Sequence, residues 1–446
     1  MEPLRALPVA ARLPLRVYRL LFPVAFLLML PGFVVRMFRR GHWRHKFGQR
    51  FGFFAPEDRA RLAGGGWIWI HSVSVGEMMM GIKLARTLQA ARPGLKLLIS
   101  TTTSTGYAVA REQIAKGGGG LELIYYPMDA LSGVRRALDL IRPAQVVMVD
   151  KELWPNMVSE CYRRGIPVSI VNARLSPKSE RGFRKWRRWV GPFFGMLERV
   201  CVQEPEDVER WQTLGVRREA LHCTGSLKFD FAAAEASRAP EFRSLLQRAS
   251  VKDETPILLA GSTFPGEETA LGRTLIALRQ QQPELFLIVV PRHVERTPEV
   301  EADLRALGLN PVLRTALSDL PPDSPRADVL IVNTTGELRD WYAVATVCFI
   351  GKSLRATGGQ NPAEPVLAGR PVLFGPHMEN FSALVRQFLA VQGAIQVPDE
   401  AGLVREVGAL LKNPACGEAL VTQARTVLAV HMGANARTAE LLLAQR

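Results

Sequence analysis

The apolar positions of the chain fall into two series of short strand-like runs, and helical patterns lie between most of these runs. The runs of the first series are Trp67–Ile70, Leu97–Ser100, Leu121–Tyr126, Gln145–Val149, Pro167–Val171 and Val200–Gln203. The runs of the second series are Pro256–Ala260, Leu285–Val290, Val329–Val332, Val347–Ile350 and Pro371–Phe374. Strands that alternate with helices form βαβ units, in which helices cover both faces of a parallel sheet. The pattern therefore predicts an α/β protein with two doubly wound, Rossmann-like domains.

The two series also set the expected domain boundaries. A chain of 446 residues is long enough for two hydrophobic cores. We expect an N-terminal domain over residues 51–230, a polar, helix-prone linker over 231–255, and a C-terminal domain over 256–446. Parallel sheets bind ligands at the carboxyl ends of their strands, so a central cleft between the domains is the expected ligand site.

The first fifty residues are expected to form a unit of their own. They contain an apolar run, Leu20–Val35, which as a helix would span roughly 24 Å, less than the ~30 Å of a bilayer hydrocarbon core. Pro23 and Pro31 are expected to kink this helix, and the basic residues after it argue against a removed signal peptide. The run predicts a membrane-anchoring helix, either a short signal-anchor or a helix lying in the membrane interface. Both arrangements leave the rest of the chain in the cytoplasm.

Charge and cysteine content narrow the class of protein. The formal net charge of +15 calls for an anionic partner, such as nucleic acid, anionic lipid or a phosphorylated substrate. A second basic segment, Arg174–Arg199, is interleaved with aromatic residues and favours an anionic membrane surface or a phosphorylated lipid. RNA binding and a solvated charge run are the alternatives for this segment. The five cysteines show no CxxC or Cys/His pairing, which argues against a structural zinc site.

The stretch His71–Glu77 joins the first predicted strand to a helix. Glu77 lies in the first turn of that helix, where the positive end of the helix dipole favours the ionised carboxylate. Glutamates at such positions often act only as dipole partners. The position alone therefore leaves two interpretations open, a helix-start residue or a general base mounted on a rigid element.

Polar residues also follow most of the other predicted strands. These segments are Thr101–Gly106, Asp150–Asn156, Asn172–Ser176, Gly225–Asp230, Gly261–Thr263, Pro291–His293, Thr335–Glu337 and Gly358–Glu364. The last segment places glycines before a helix start, a form that binds phosphate or sugar through backbone N–H groups. No dinucleotide-binding glycine motif or P-loop follows a strand, which disfavours both of those nucleotide sites. Together the segments are expected to face one cleft from both domains.

With these motifs the sequence resembles a known family along nearly its whole length. The matching segments are HSVSVGE, TTTSTG, KELWPN, VNARLS, TGSLKFD, PRHVER, TGEL, GGQNPAEP and GPHMENF. The family is that of the 3-deoxy-D-manno-octulosonic acid (Kdo) transferases of lipid A biosynthesis. The resemblance implies a metal-independent GT-B type glycosyltransferase that needs no cofactor besides its donor substrate, CMP-Kdo. It further implies transfer of Kdo, with inversion, to a lipid A precursor at the cytoplasmic side of the cell inner membrane, with no nucleic acid partner.

The resemblance also assigns roles to individual residues. Glu77 is implied to be the general base for the acceptor hydroxyl, and Asp150 and Lys228 are implied to assist the transition state. The implied donor-binding positions are Pro291, Arg292, Thr335, Gly336, Glu337, Asn361, Pro362, Ala363 and Glu364. These roles are chemically consistent, because the attacking hydroxyl needs a base and the leaving CMP gains negative charge that Arg292 can stabilise. Glu364 is the better candidate for accepting hydrogen bonds from the ribose hydroxyls.

The sequence departs from the family pattern at several of these positions. Asp150 is one methylene shorter than the usual glutamate, and Lys151 follows it. Phe264, Lys352 and Gln360 stand where histidine, glycine and histidine are usual. Phe264 removes a polar group and puts that contact in doubt. With the departures together, two alternatives stay open: a membrane-associated GT-B transferase that uses another nucleotide sugar, and a non-catalytic lipid A-binding relative.

Overall fold

The chain folds into two α/β units, each built on one parallel sheet of seven strands. The computed structural model describes residues 4–40, 46–175, 177–230, 238–321 and 325–444. The first unit consists of Met1–Phe231 together with Val430–Arg446, and the second unit consists of Ala232–Ala429. The two parallel sheets confirm the predicted pair of doubly wound domains.

The sheet of the first unit has the strand order β3-β2-β1-β4-β5-β6-β7. Its strands are β1 (Ile68–Ser72), β2 (Leu97–Thr101), β3 (Glu122–Tyr125), β4 (Gln145–Val149), β5 (Val168–Ala173), β6 (Arg199–Val202) and β7 (Leu221–Cys223). Its first nine helices are α1 (Val9–Arg40), α2 (Pro56–Leu62), α3 (Val75–Ala91), α4 (Ser104–Lys116), α5 (Leu131–Ile141), α6 (Pro155–Arg163), α7 (Pro177–Lys185), α8 (Arg187–Phe194) and α9 (Pro205–Thr213). The strand order reverses between β1 and β4, which form the topological switch point where such sheets bind ligands.

The sheet of the second unit has the strand order β10-β11-β9-β8-β12-β13-β14. Its strands are β8 (Ile257–Thr263), β9 (Phe286–Pro291), β10 (Pro311–Leu313), β11 (Val329–Ile331), β12 (Val347–Ile350), β13 (Val372–Phe374) and β14 (Ile395–Gln396). Its helices are α10 (Ala239–Arg248), α11 (Glu267–Arg279), α12 (Thr297–Ala306), α13 (Leu338–Val344), α14 (Ala363–Leu367), α15 (Ser382–Ala390), α16 (Glu400–Lys412) and α17 (Pro414–Ala429). The switch point of this sheet lies between β8 and β12.

All the predicted strand-like runs coincide with strands, because the central strands are apolar on both faces. Every residue of β1, β2 and β4 is buried, as expected for a sheet that helices cover on both sides. Among the described residues, the sequence did not predict β7, β10 and β14. These strands are two or three residues long and lie at the sheet edges, so they are too short for a periodic pattern to be recognised.

The N-terminal segment is part of the first unit, whereas the sequence predicted a separate unit. Helix α1 continues through Pro23 and Pro31 and begins well before the apolar run. Ala11 and Leu15 on its first half are buried in the core of the first unit. Two apolar residues four positions apart suffice for this contact, and such a short stripe does not stand out in the sequence. Within the described ranges, no helix combines the length and the apolar character needed to cross a membrane.

The end of the chain returns to the first unit, whereas the sequence predicted that the C-terminal domain extends to residue 446. Helix α18 (Ala434–Leu443) packs against α3. The carboxylate of Asp230 accepts hydrogen bonds from the backbone N–H groups of Gly433 at 2.7 Å and Asn435 at 2.6 Å. The N–H of Ser226 donates to Nδ1 of His431 at 3.2 Å. Partners 205 positions apart leave no periodic signal in the sequence, so the boundary was misplaced.

Candidate active site

Glu77 lies in the first turn of α3, where it is part of a capping box. The hydroxyl of Ser74, the N-cap residue, accepts a hydrogen bond from the backbone N–H of Glu77 at 3.2 Å. In return, the Glu77 carboxylate accepts from the N–H groups of Val73 at 2.9 Å and Ser74 at 3.3 Å, and from the Ser74 hydroxyl at 2.9 Å. The predicted helix start is confirmed. These donors fix the carboxylate at the carboxyl end of β1, on the switch point.

Asp150 follows β4, the strand beside β1. Its backbone is left-handed, with a φ of +72°, a conformation that aspartate adopts more readily than glutamate. Its N–H donates to the carbonyl of Val171 at 2.9 Å. Burial, together with the smaller effect of the negative charge of Glu77, raises the pKa of Asp150 to about 6. Asp150 therefore shares one electrostatic environment with Glu77.

Glu152, two residues further along, completes a cluster of three carboxylates. Burial raises its pKa to about 7, and the charges of Glu77 and Asp150 contribute next. The positive charges of Lys151 and Arg174 oppose the rise at Asp150. The raised pKa values of Asp150 and Glu152 favour the protonated forms of these two carboxyl groups more than in isolated side chains. The sequence placed Glu152 in the KELWPN motif without giving it a role.

Lys228 lies on a loop that Asn172 holds in place. The Asn172 side-chain oxygen accepts a hydrogen bond from the N–H of Leu227 at 3.0 Å. Desolvation and the charge of Arg174 lower the pKa of Lys228. Because Arg174 also acts on Asp150, this arginine connects Lys228 to the acidic cluster. Arg174 was missed as a site residue, and its place in the VNARLS motif was the only signal for it in the sequence.

His71, at the head of the same segment, is a core residue. Its ring stacks on Tyr126 with centroids 3.7 Å apart, and its Nδ1 lies 3.0 Å from the Ser100 hydroxyl oxygen. The stack continues to Trp154, whose ring centroid lies 6.0 Å from that of Tyr126. Burial lowers the pKa of His71 to about 3. The neutral imidazole therefore supports the end of β1, and the charged groups of the site are the carboxylates beyond it.

In the second unit, Glu267 joins the two strand ends of the switch point. This side chain is fully buried at the start of α11. Its carboxylate accepts hydrogen bonds from the backbone N–H groups of Phe264 at 2.9 Å, Lys352 at 2.7 Å, Ser353 at 2.9 Å and Leu354 at 3.0 Å. Phe264 follows β8, and the other three residues follow β12, so a single carboxylate satisfies and aligns both segments.

Phe264 and Lys352, two of the departures from the family pattern, contact each other. The Lys352 Nζ atom lies 4.9 Å from the centroid of the Phe264 ring, within the range of a cation–π interaction. The ring of His293 packs edge-on against Phe264 at a centroid distance of 5.7 Å. The switch point thus carries an ammonium group held by an aromatic ring.

Part of the predicted donor-binding set comes together beside this point. Asn361 Nδ2 donates to the Glu364 carboxylate at 3.0 Å, and Asn361 Oδ1 accepts from the N–H of Ala363 at 3.1 Å. Pro362 is the N-cap residue of α14 between them. Burial raises the pKa of Glu364, and the positive charge of Arg292, at the end of β9, opposes that rise. Arg292 and Glu364 therefore act on each other electrostatically.

The remaining predicted residues lie at the ends of β9 and β11. Pro291 is the buried last residue of β9. Thr335 and Gly336 form an exposed turn, with Gly336 at a φ of +89°. The Glu337 carboxylate accepts two hydrogen bonds from the Arg314 guanidinium, both at 3.1 Å. Glu337 therefore orients the turn through an internal ion pair, and Thr335 and Gly336 are the more accessible part of the motif.

The basic segment of the first unit forms α7 and α8. Trp186 and Trp189 expose 54% and 39% of their surface, whereas Phe193 and Phe194 are buried in the core. Helix α8 packs against α1. The buried phenylalanines anchor the segment, and the exposed tryptophans lie among its arginines.

The fold and these two switch points define a class of protein. It is a two-domain α/β enzyme with an acidic cluster suited to proton transfer in one unit and cationic strand ends suited to an anionic ligand in the other. The chain shares its fold with a UDP-GlcNAc 2-epimerase from Neisseria meningitidis, with a TM-score of 0.54 and 14% identity. That match covers 84% of this chain and 99% of the other.

Sequence comparisons identify the family within this class. The family model of 3-deoxy-D-manno-octulosonic-acid transferase (kdotransferase) matches residues 45–231. The chain is 31% identical to the 3-deoxy-D-manno-octulosonic acid transferase of Haemophilus influenzae, over 90% of this chain and 91% of that protein. It is 33% identical to the enzyme of the same name from Bordetella pertussis, over 90% of this chain and 92% of that protein. The chain belongs to the Kdo transferase family.

Proposed function

We propose that this protein transfers Kdo from CMP-Kdo to a hydroxyl of a lipid A precursor, with inversion at the anomeric carbon. The observation that carries the proposal is the cluster of Glu77, Asp150 and Glu152 at the switch point of the first unit, in a member of the Kdo transferase family. Transfer to a hydroxyl requires a carboxylate that can take up the acceptor proton, and this cluster supplies one on rigid strand ends.

On the acceptor side, Glu77 is the base. Its carboxylate already accepts a hydrogen bond from the Ser74 hydroxyl at 2.9 Å, so its geometry suits an incoming sugar hydroxyl. The ionised Asp150 stabilises the positive charge that develops at the anomeric carbon. Glu152, with its pKa raised to about 7, holds a proton for part of the time and limits repulsion among the three carboxylates.

On the donor side, the second unit binds the nucleotide. Arg292 offsets the negative charge that CMP gains as it leaves, and the carboxylate of Glu364 accepts hydrogen bonds from the ribose hydroxyls. Lys352 adds a cation at the neighbouring strand end. Lys228, with its pKa lowered, interacts with the Kdo carboxylate or with the leaving phosphate.

The enzyme works at the cytoplasmic side of the cell inner membrane, with α1 lying in the membrane interface. Leu20, Leu21, Val24, Leu27 and Leu28 are exposed on this helix. The exposed Trp186 and Trp189 lie at the N-cap and in the first turn of α8, which packs against α1. Aromatic residues among arginines favour an anionic membrane surface. No metal is required for the proposed reaction, because carboxylates and cations of the chain supply the base and the charge stabilisation.

A donor panel tests the proposed function. Purified protein is titrated with CMP-Kdo, other CMP-sugars and UDP-sugars, and binding is measured by calorimetry. We expect CMP-Kdo to bind most tightly and Arg292→Gln to weaken it about tenfold, the effect of losing one charge-assisted contact. Arg405→Gln, an exposed arginine of the same unit paired with Glu406, is the matched control. If the protein bound a UDP-sugar more tightly than CMP-Kdo, the proposed Kdo transfer would be contradicted, and transfer of another sugar would take its place as the proposed function.

A further inference from the structure

A cavity of about 500 Å³ opens between α1, α5 and α6 in the first unit. Its walls include Arg19 and Phe22 of α1, Leu131 and Arg135 of α5, and Asn156 of α6. Cationic and apolar side chains thus line the same space. The acidic cluster does not include any of these residues, and the family resemblance assigned them no role.

The arginines at the cavity wall carry more positive charge than the nearby carboxylates neutralise. The buried carboxylate of Glu160 forms ion pairs with three arginines: Arg19 at 3.3 Å, Arg135 at 3.0 Å and Arg163 at 3.2 Å. The buried carboxylate of Asp129 also acts on Arg19, and the carboxylate of Asp139 acts on Arg135 and pairs with Arg164 at 2.6 Å. Four guanidinium groups and three carboxylates leave at least one positive charge unbalanced, and this excess favours a bound anion.

Arg135 is the arginine of this wall that is best placed to bind an anion from solution. Arg135 keeps 43% of its side chain exposed, against 28% for Arg19 and 2% for Glu160. The guanidinium of Arg135 therefore reaches solvent while its ion pair fixes its direction. Phosphate groups suit such an oriented guanidinium because its N–H donors match their oxygen atoms.

The apolar part of the surroundings points to a lipid. Phe22 and Pro23 line the cavity, and the next turns of α1 expose Val24, Leu27 and Leu28. A ligand that pairs an anionic phosphate with an acyl chain would satisfy both kinds of surface. A free phosphate would leave the apolar wall uncovered.

The cavity lies at the same edge of the sheet as the acidic cluster. Leu131 begins the helix that follows β3, and Asn156 lies in the first turn of the helix that follows β4. Asp150 and Glu152 lie on the connection between β4 and that helix. We infer that this cavity binds a phosphate and the adjoining acyl chain of the lipid acceptor, which places the acceptor sugar toward Glu77. This assignment of the ligand as the acceptor rests on the proposed function.

Two variants test the cavity with the full-length protein. Arg135→Gln removes the exposed cation, and Ser132→Trp, at an exposed position of the cavity rim, fills the space. Binding is measured to phosphatidylcholine vesicles with and without phosphatidic acid. We expect each variant to weaken the phosphatidic acid-dependent binding about fivefold, the effect of one arginine at a membrane surface. Both should also raise KM for the lipid acceptor while KM for CMP-Kdo stays constant.

Arg217→Gln is the control, because Arg217 is a similarly exposed arginine of the same unit, paired with Glu219. The inference would be overturned if Arg217→Gln weakened vesicle binding as much as the cavity variants do, or if both cavity variants bound the vesicles like the wild type. It would also be overturned if inorganic phosphate displaced the protein from the vesicles as effectively as phosphatidic acid does. The two proposals can fail separately. If the wild-type protein transfers no Kdo, and Arg135→Gln still weakens the binding of phosphatidic acid, the proposed function is wrong and the assignment of the cavity to a lipid phosphate stands.

Discussion

At the scale of single residues, the acidic cluster explains why an aspartate can stand where the family usually has a glutamate. Asp150 has a left-handed backbone at a φ of +72°, and the short carboxylate side chain tolerates that conformation. Its carboxyl group still interacts with Glu77 and Glu152. The substitution therefore keeps the acid in the cluster and adapts it to the turn after β4.

The same cluster makes stability depend on pH. The pKa values of Asp150 and Glu152 rise to about 6 and about 7 in the folded protein, above the ~4 of an unfolded chain. Between about pH 4 and 7 the folded state therefore binds more protons than the unfolded state, so the free energy of unfolding falls as pH rises. We expect Glu152→Gln to reduce that fall by on the order of 1–2 kcal/mol, measured by urea unfolding at about pH 5 and about pH 8.

Glu219→Gln serves as the control for this experiment, since Glu219 is exposed and lies outside the cluster. Its pH profile should match that of the wild type. A Glu152→Gln profile as steep as that of the wild type would show that Glu152 does not carry a raised pKa.

At the scale of elements, Glu77 and Glu267 hold equivalent places with different consequences. Both lie in the first turn of a helix that follows a strand of a switch point. Glu77 is partly exposed and retains access to a ligand, whereas Glu267 is fully buried and binds four backbone N–H groups. The two positions look alike in the sequence, because burial depends on what the following loops cover.

Glu267→Gln tests the structural role of the buried carboxylate. The amide oxygen can still accept two hydrogen bonds, but the amide nitrogen cannot accept the other two, so two buried N–H groups lose their partner. We expect the free energy of unfolding to fall by about 2–5 kcal/mol, measured by denaturant unfolding. Glu301→Gln, which affects an ion pair with Arg305 on the surface of α12, should change it by less than about 1 kcal/mol. Similar stabilities for both variants would contradict the role given to Glu267.

The exposed end of α1 is expected to carry membrane binding. Leu27 and Leu28 expose 64% and 79% of their surface. Replacing both with aspartate should weaken sedimentation with anionic vesicles at least about tenfold, because apolar burial is lost and negative charge is added. Ile276→Asp, at an exposed apolar position of the second unit, is the control. Undiminished vesicle binding by the double variant would rule out α1 as the interfacial element.

At the scale of the whole molecule, the sequence predicted the parts that local patterns determine. The central strands of both sheets and the helix start at Glu77 follow from apolar runs and from capping chemistry. The docking of Ala11 and Leu15, the return of α18 to α3 and the contact between Lys352 and Phe264 depend on residues far apart in the chain. Only the three-dimensional fold brings these residues together, so neither periodicity nor motif spacing revealed them.

The most direct test of the central claim is the mass spectrum of the product formed from CMP-Kdo and the lipid A precursor. The wild-type protein should add Kdo to the acceptor, and Glu77→Gln should slow that reaction at least about a hundredfold, because glutamine cannot take up the hydroxyl proton. Glu57→Gln, a first-turn glutamate of α2 in the same unit, should leave the rate unchanged. A wild-type protein that forms no Kdo-bearing product, or a Glu77→Gln variant as fast as the wild type, would contradict the account.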